Sequence, residues 1–262
     1  MDLGLKGKVA IIGGSSKGLG RSCAVSLAKE GVNIVICANG KDTLKETADF
    51  IRGLGVSVLA LEVDMSSKED NYRIVDETIK KFGKIDILIN NSGGPPAGTF
   101  YDFKEKDWGK AFNSVLMYVI RLCQLVIPYM KNNEWGRIIN LTSLFVKEPD
   151  ENLILSSIFR SGVVSMAKSL SRDLIKSNIT INNICPGPFK TDRVIELIKK
   201  TAEQKKMTIT EIEAEAIKNM PLGRYQNPKE LGDLVAFLCS ELACGITGTT
   251  LQIDGGIQKA LF

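Results

Sequence analysis

The chain has 262 residues, of which 44% are hydrophobic and 24% charged, and its formal net charge is +4. This length suits one α/β domain with a substantial core, and the composition is ordinary for a globular protein. The small and scattered positive charge predicts neither nucleic acid nor a membrane as partner, and no apolar run approaches the roughly 18 residues of a membrane span.

Short apolar runs rich in β-branched residues alternate with longer segments of helical periodicity. The predicted strands are 8–12, 33–38, 56–64, 85–93, 136–143, 179–187 and 249–256. The predicted helices include 19–31, 41–55, 67–83, 107–131 and one that begins near residue 152. Parallel strands need crossover helices, and this alternation supplies them. We therefore predict an α/β fold: one domain over 1–262, with a doubly wound, parallel, seven-stranded sheet and helices on both faces.

One segment departs from this alternation. Residues 191–220 are polar and helical and precede the last predicted strand. We expect this insertion to form a mobile lid.

The chain contains six cysteines and no histidine. No two cysteines form a C-x-x-C pair and most lie in apolar runs, which predicts buried, reduced thiols in a cytoplasmic protein. The apolar run at the N-terminus is too short for a signal peptide. The lack of histidine excludes Ser-His-Asp and Cys-His nucleophile systems, and we predict no metal site.

A glycine-rich turn follows the first predicted strand and leads into a helix. Gly14, Gly18 and Gly20 in "VAIIGGSSKGLGRS" permit a tight turn and the close approach of a pyrophosphate. The free N–H groups and the positive dipole end of the helix then point at that anion. This arrangement predicts a dinucleotide-binding site.

The G-x-x-x-G-x-G spacing resembles that of the short-chain dehydrogenase/reductases, and the similarity extends over nearly the whole chain. "VDMSS", "NNSGG", "GRIINLTS", "NNICPGPFKTD" and the segment from "PLGRYQNPKELGD" to "TLQIDGG" resemble further motifs of that family. One departure is Gly13, where the family usually has threonine. The chain is most similar to the branch with 3-oxoacyl-carrier-protein reductases and glucose or alcohol dehydrogenases, and the resemblance implies a Rossmann fold.

The resemblance also implies which residues bind the cofactor. They are Gly14, Ser16, Lys17, Gly18, Leu19, Gly20, Asn39, Asp64, Met65, Asn91, Ser92, Gly93, Arg160, Pro186, Gly187 and Thr191. In the family, the aspartate contacts adenine and the P-G motif lies beside the nicotinamide.

The end of the second strand indicates which dinucleotide is bound. NAD-specific relatives usually place an acidic residue there for the ribose hydroxyls, whereas this chain has Ala38, followed by Asn39 and Lys41. Lys17 lies just before the second glycine of the turn. The missing carboxylate and the two lysines favour the 2′-phosphate of NADP, although NAD stays possible if both lysines are only surface charges.

Three of the four catalytic residues expected from the family are replaced. Ser143 occupies the serine position, but Ser156 stands where the tyrosine belongs, Arg160 replaces the lysine four residues later, and Val115 replaces the asparagine of the long helix. Asn113 is two residues away and should face elsewhere. A serine hydroxyl is a poor acid at neutral pH, and arginine does not exchange its proton. Loss of acid catalysis should cost about 10²- to 10⁴-fold in rate.

Other groups are candidates for the proton donor. Lys147, followed by Glu148, lies in the loop that should border the substrate, and a lysine removed from water can act as an acid near neutral pH. A lysine in a polar loop is nevertheless usually solvated. Tyr118, one turn after Val115, is expected to be a packing residue.

We therefore predict an NADP-preferring oxidoreductase that acts on a small carbonyl or hydroxyl substrate, with Ser143, Ser156, Arg160 and Lys147 as candidate catalytic residues. One alternative is a dinucleotide-binding protein with reduced catalysis, acting as a sensor or partner subunit; another is an enzyme that uses the pocket for a different reaction. The apolar residues of the long helix and of the helix after residue 152, including Val115, Val119 and Val163, together with the resemblance, predict a homodimer or homotetramer.

Overall fold

All seven predicted strands pair in parallel in one sheet, in the order β3-β2-β1-β4-β5-β6-β7. The computed structural model describes residues 2–261. The strands are β1 (Val9–Ile12), β2 (Asn33–Ala38), β3 (Val58–Glu62), β4 (Ile87–Asn90), β5 (Gly136–Leu141), β6 (Ile179–Pro186) and β7 (Thr250–Ile253). The predicted doubly wound α/β fold is confirmed, and most strands are shorter than the apolar runs that predicted them.

Helices connect the strands on both faces of the sheet. They are α1 (Gly18–Lys29), α2 (Lys41–Arg52), α3 (Lys68–Phe82), α4 (Glu105–Ala111), α5 (Tyr118–Asn132), α6 (Ile154–Leu174), α7 (Asp192–Lys205), α8 (Ile209–Ile217) and α9 (Pro228–Cys239). Local contacts at both ends of α3 explain where this helix begins and stops. The Ser67 hydroxyl accepts the N–H of Asp70, and Gly83 adopts a left-handed conformation with φ of 73°.

Two hydrophobic layers enclose the sheet, because successive side chains of a strand point to opposite faces. In β1, Ala10 and Ile12 pack with α1, α2 and α9, whereas Val9 and Ile11 pack with α3, α5 and α6. Both faces are therefore buried, which explains why the strands are continuously apolar rather than alternating.

The order of the strands places a crevice between β1 and β4. From β1 the chain proceeds outward to β2 and β3, and it then returns to add β4 on the other side of β1. Open parallel sheets bind ligands at the carboxyl ends of the strands where this direction reverses. The turn after β1 and the segment after β4 therefore lie side by side.

The long helix predicted over 107–131 is present as one continuous helical segment, Glu105–Asn132, with a π-helical turn that the sequence did not predict. Helix α4 is followed by a π-helical turn at Phe112–Met117 and then by α5. Val115 lies in this turn and is buried. A helical sequence period does not reveal one wider turn, because the apolar spacing on either side is unchanged.

The sequence predicted that no apolar run approaches the length of a membrane span, and this helix corrects that prediction. Residues Glu105–Asn132 contain a window with a mean hydropathy of 1.5, which by length and composition is enough to cross a membrane. A core helix of a globular protein meets the same criterion. Here Val119, Leu122 and Val126 of α5 are buried against the sheet, so its apolar side has a partner within the chain.

The insertion over 191–220 consists of α7 and α8, as its helical pattern predicted. Ile198, Ala202 and Ile212 form a small hydrophobic cluster of their own, separate from the two layers on the sheet. Two ion pairs border it, Lys190 with Glu213 at 2.5 Å and Lys205 with Glu215 at 2.9 Å. The predicted mobility of this lid stays a prediction.

Candidate active site

The glycine-rich turn after β1 packs closely against the segment after β4. Gly14 and Gly18 have φ of 52° and 58°, which glycine adopts without strain. A Cβ at Gly20 would lie 2.4 Å from the Gly14 carbonyl oxygen. No side chain caps the N-terminus of α1, where Lys17 is the N-cap residue. The turn and the start of α1 therefore have the backbone geometry of an anion site, and the binding of a pyrophosphate there stays a prediction.

Asn91 joins the two segments of this crevice. Its Nδ2 donates to the carbonyl oxygens of Gly13 and Gly14, at 3.1 and 3.2 Å. A Cβ at Gly13 would approach the Asn91 carbonyl oxygen to 2.4 Å. This contact explains the glycine at a position where threonine was expected, because a larger residue requires the strand ends to separate.

One cavity of about 410 Å³ lies along these strand ends and contains most of the predicted cofactor residues. Its lining includes Gly14, Ser16, Lys17, Asn39, Asp64, Met65, Asn91, Ser92 and Gly93. The sequence did not single out Ser66, Gly94 and Ser114, which also line it. The Ser92 hydroxyl donates to the Ser114 carbonyl oxygen at 2.9 Å, which joins the π-helical turn to the cavity.

The far end of this cavity is formed by the ends of β2 and β3. Ala38 and Asn39 line it, so no carboxylate follows β2 there. The Asp64 carboxylate accepts both the backbone N–H and the hydroxyl of Ser66 at 2.8 Å. These contacts orient Asp64 at the position where the family resemblance predicted an adenine contact.

The start of the insertion lies beside the glycine turn. Gly18, Leu19 and Thr191 line one smaller cavity of about 200 Å³, and a Cβ at Gly18 would be 3.7 Å from Thr191 Cγ2. Ser143, Pro186 and Gly187 line a third cavity at the ends of β5 and β6. Gly20, Lys147, Ser156 and Arg160 are not among the lining residues of these three cavities.

Arg160 extends from α6 to the end of β5. Its Nη1 donates to the carbonyl oxygens of Leu141 and Thr142, at 2.8 and 3.2 Å, and its Nε donates to the Ser156 hydroxyl oxygen at 3.2 Å. Ser156 and Arg160 are therefore in direct contact. Ser156 accepts from a permanent cation, so its hydroxyl proton is free to point at another acceptor.

The surroundings of the Arg160 guanidinium are largely buried. Burial lowers the pKa of Arg160 from its ordinary value, and Tyr118 and Cys185 partly oppose that effect. Within residues 2–261 no carboxylate forms an ion pair with it. An arginine stays protonated in proteins, so this is a cation without an acidic counter-ion, a group that stabilises negative charge developing nearby.

Tyr118 is 3% exposed and packs among the core residues of α5, as expected. Burial raises the pKa of its hydroxyl, while a hydrogen bond with Ser92 and the charge of Arg160 act in the opposite direction. Asn113 faces elsewhere, as expected, because its Nδ2 donates to the Gly109 carbonyl oxygen and its Oδ1 accepts from Arg121. It does not replace the missing asparagine at Val115.

Lys147 ends the short helical turn Leu144–Val146 that follows Ser143. Burial raises the pKa of the neighbouring Cys185 thiol, and Thr142, Lys147 and Arg160 each lower it. The charges of Lys147 and Arg160 therefore both act on the thiol near the end of β6. The Ser143 hydroxyl oxygen accepts the N–H of Phe145 at 3.3 Å.

A row of buried asparagines beneath the site was missed in the sequence. Asn90 donates to Asn140 at 2.8 Å, and Asn140 donates to Asn183 at 3.0 Å, because the three residues are in register on β4, β5 and β6. A signal was present, since "ILIN", "IINL" and "INNI" each contain asparagine near the end of an apolar strand. The row connects the strand ends that carry Asn91 and Ser143.

A family model and individual relatives both match nearly the whole chain. A family model described as enoyl-(acyl carrier protein) reductase matches residues 14–258. The chain belongs to the short-chain dehydrogenase/reductase family. Within it, the chain is 29% identical to the 3-oxoacyl-[acyl-carrier-protein] reductase of Thermotoga maritima over 97% of this chain and 98% of that protein.

Two solved short-chain dehydrogenase/reductase structures are similar over nearly their whole length. L-Sorbose reductase from Gluconobacter frateurii, complexed with NADPH and L-sorbose, superposes with a TM-score of 0.96 at 32% identity, covering 100% of both chains. A 7α-hydroxysteroid dehydrogenase complexed with NADH superposes with a TM-score of 0.86 at 30% identity, covering 97% of this chain and 96% of that one.

Proposed function

We propose that this protein is an oxidoreductase that transfers hydride between a nicotinamide dinucleotide, preferably NADP, and a small carbonyl or hydroxyl substrate. The observation that carries the proposal is the cavity that joins the glycine turn, the end of β2 and the segment after β4. Structural neighbours in complex with NADPH and with NADH support the class of cofactor.

The preference for NADP follows from charge. The lining of the cavity includes Lys17 and Asn39 at the end where a ribose-binding carboxylate would otherwise lie. A 2′-phosphate gains charge-assisted hydrogen bonds from Lys17, and no acid after β2 repels it. The uncapped N-terminus of α1 and the close glycine contacts suit the pyrophosphate.

The dinucleotide, when bound, supplies the hydride. Ser143 polarises the substrate carbonyl oxygen, and the charge of Arg160 stabilises the negative charge that develops there. The Ser156 hydroxyl, fixed by Arg160 Nε, orients the same oxygen. Lys147 is the candidate donor of the proton that completes the reduction.

Fluorescence titration with NADPH and NADH tests the cofactor assignment. We expect NADPH to bind at least several-fold more tightly, and Lys17→Ala to remove most of that difference. Equal or reversed affinities of the unaltered protein contradict the assignment. Ser143→Ala should leave NADPH binding intact and remove turnover, and Lys147→Ala should do the same only if Lys147 donates the proton.

A second candidate is a dinucleotide-binding protein with little turnover, acting as a sensor or partner subunit. The observation that favours it is the contact between Ser156 and Arg160, which joins a poor acid to a group that does not release its proton. Tight NADPH binding without reduction across a broad panel of ketones and aldehydes would identify this function.

We also propose that the protein forms a two-fold symmetric dimer or tetramer. Three of the apolar residues that predicted this assembly from the sequence do not lie at the surface. Val115, Val119 and Val163 are buried within the chain, so they supply no exposed contact face. The exposed large hydrophobic residues of these helices are Phe112, Tyr129 and Ile158. Light scattering at micromolar concentration tests the assembly, and a monomer contradicts it.

A further inference from the structure

A cavity of about 650 Å³ extends from Ser143 away from the dinucleotide cavity. Its walls come from the segment 143–150 after β5, residues 186–188 after β6, the end of α8 and the C-terminal segment. Because the catalytic serine is at its inner end, this is the substrate pocket of the proposed function. The insertion and the C-terminal segment therefore determine which substrate fits.

The charged residues that line this pocket are both acidic, namely Glu148 and Asp150. Neither carboxylate forms an ion pair with any lysine or arginine in the part of the chain that the structure describes. One oxygen of Asp150 accepts the N–H of Asn152 at 2.8 Å, and this leaves the other oxygen for a ligand. The pocket thus presents unneutralised negative charge.

No lysine or arginine is among the residues that line the pocket. Lys147 and Arg160, which the proposed function places at the reacting carbonyl, lie outside this lining, and Arg160 donates to the Leu141 and Thr142 carbonyl oxygens. Glu148 is exposed and Asp150 is half-buried. A carboxylate or phosphate on the substrate would meet both carboxylates at short range, and like charges repel.

The remaining polar groups of the pocket are neutral. The amides of Asn219 and Gln258 line it. Asn219 is exposed, whereas Gln258 Nε2 is closed to solvent and has no acceptor in residues 2–261. The backbone N–H of Gln258 donates to Asp254 at 2.9 Å, which fixes the residue in place. A hydroxyl group suits this set, because it donates to a carboxylate and accepts from an amide.

We propose that the substrate is an uncharged, hydroxyl-bearing ketone or the corresponding alcohol, and that Glu148 and Asp150 exclude anionic substrates. The inference rests on the proposed function and specifies its substrate class. The substrate hydroxyls donate to Glu148 and Asp150 and accept from the exposed amide of Asn219, while the carbonyl oxygen faces Ser143.

Matched substrate pairs test the charge selection in the full-length protein with NADPH. The pairs are dihydroxyacetone with its phosphate, and ethyl 3-oxobutanoate with 3-oxobutanoate. We expect kcat/KM to be at least about tenfold higher for the uncharged member of each pair. The double variant E148Q/D150N should reduce that ratio at least threefold, because the amides keep the hydrogen bonds and remove the charge.

Two further variants separate this role from a general effect. E151Q removes a neighbouring exposed carboxylate outside the pocket lining and should leave the ratios unchanged. Asn219→Leu should lower kcat/KM for dihydroxyacetone while leaving that for ethyl 3-oxobutanoate unchanged. The inference is overturned if the anionic members are reduced equally fast or faster, or if the ratios are unaltered in E148Q/D150N. It is also overturned if a neutral acyl thioester outcompetes dihydroxyacetone as substrate.

A failure of the proposed function can be distinguished from a failure of this inference about the substrate. If NADPH binds but no ketone is reduced, the proposed activity fails. The charge preference is then measured as competitive binding of the same pairs to the NADPH complex by ligand-observed NMR. Preferential binding of the uncharged members there supports the inference, and equal binding overturns it.

Discussion

Arg160 donates a hydrogen bond of 2.8 Å to the carbonyl oxygen of Leu141, at the end of the strand that leads to Ser143. The contact holds a cation at the edge of the sheet without a carboxylate partner. It also fixes Ser156, whose oxygen accepts from the same guanidinium. The site is therefore built around a permanent positive charge rather than around an acid that titrates near neutral pH.

Replacement of Arg160 should weaken NADPH binding. The family resemblance assigns Arg160 to cofactor binding, although it is outside the lining of the dinucleotide cavity. On that assignment we expect Arg160→Ala to raise the Kd for NADPH about 10- to 100-fold, because a buried charge-assisted contact contributes about 1.5–3 kcal/mol. Isothermal titration calorimetry measures the change. Arg160→Lys should recover most of the affinity, and Arg172→Ala, which removes an exposed arginine of the same helix, is the control. An unchanged Kd in Arg160→Ala would exclude a role of this charge in binding.

Restoring the family's catalytic residues should accelerate carbonyl reduction. The triple variant Val115→Asn, Ser156→Tyr, Arg160→Lys is expected to reduce ketones about tenfold faster or more, since a positioned general acid contributes about 10²- to 10⁴-fold. Steady-state oxidation of NADPH measures the rate, and the variant without Ser156→Tyr is the control. The opposite result, loss of an ordinary wild-type rate, would mean that the protein uses another mechanism.

The asparagine row should contribute to stability. Asn140→Ala leaves the Asn90 donor and the Asn183 acceptor without their partners, and each unsatisfied buried group costs about 1–3 kcal/mol. We expect a fall of about 2–4 kcal/mol in the free energy of unfolding, measured by urea denaturation. Asn132→Ala on the surface should change it by less than about 0.5 kcal/mol. Similar values for the two variants would contradict the role of the row.

The thiols should differ sharply in reactivity. Cys244 is exposed, whereas the other five cysteines are buried and burial raises the pKa of Cys37, Cys123 and Cys239 to about 12. A disulfide reagent at pH 8 should therefore label one thiol quickly in the native protein and six after denaturation. Rapid labelling of two or more native thiols would show that the core opens, and Cys244→Ser should remove the fast phase.

The sequence alone determined the order of strands and helices, because each run has the length and period of its element. It also located the glycine turn, since Gly14, Gly18 and Gly20 are required by local backbone geometry and close approach. The spacing after Ser143 assigned Ser156 and Arg160 to the tyrosine and lysine positions of the family, and this assignment stays a prediction. These features depend on neighbours within a few residues or on motifs of fixed spacing.

Only the tertiary structure decided what these residues contact. Arg160 meets the carbonyl oxygens of Leu141 and Thr142 because α6 packs over the end of β5, and no local pattern encodes that approach. The pocket formed by Glu148, Asp150 and Gln258 joins segments more than 100 residues apart, so its charge emerges only when the chain is folded. The π-helical turn around Val115 is likewise stabilised by packing against α6 rather than by the helical period of the sequence.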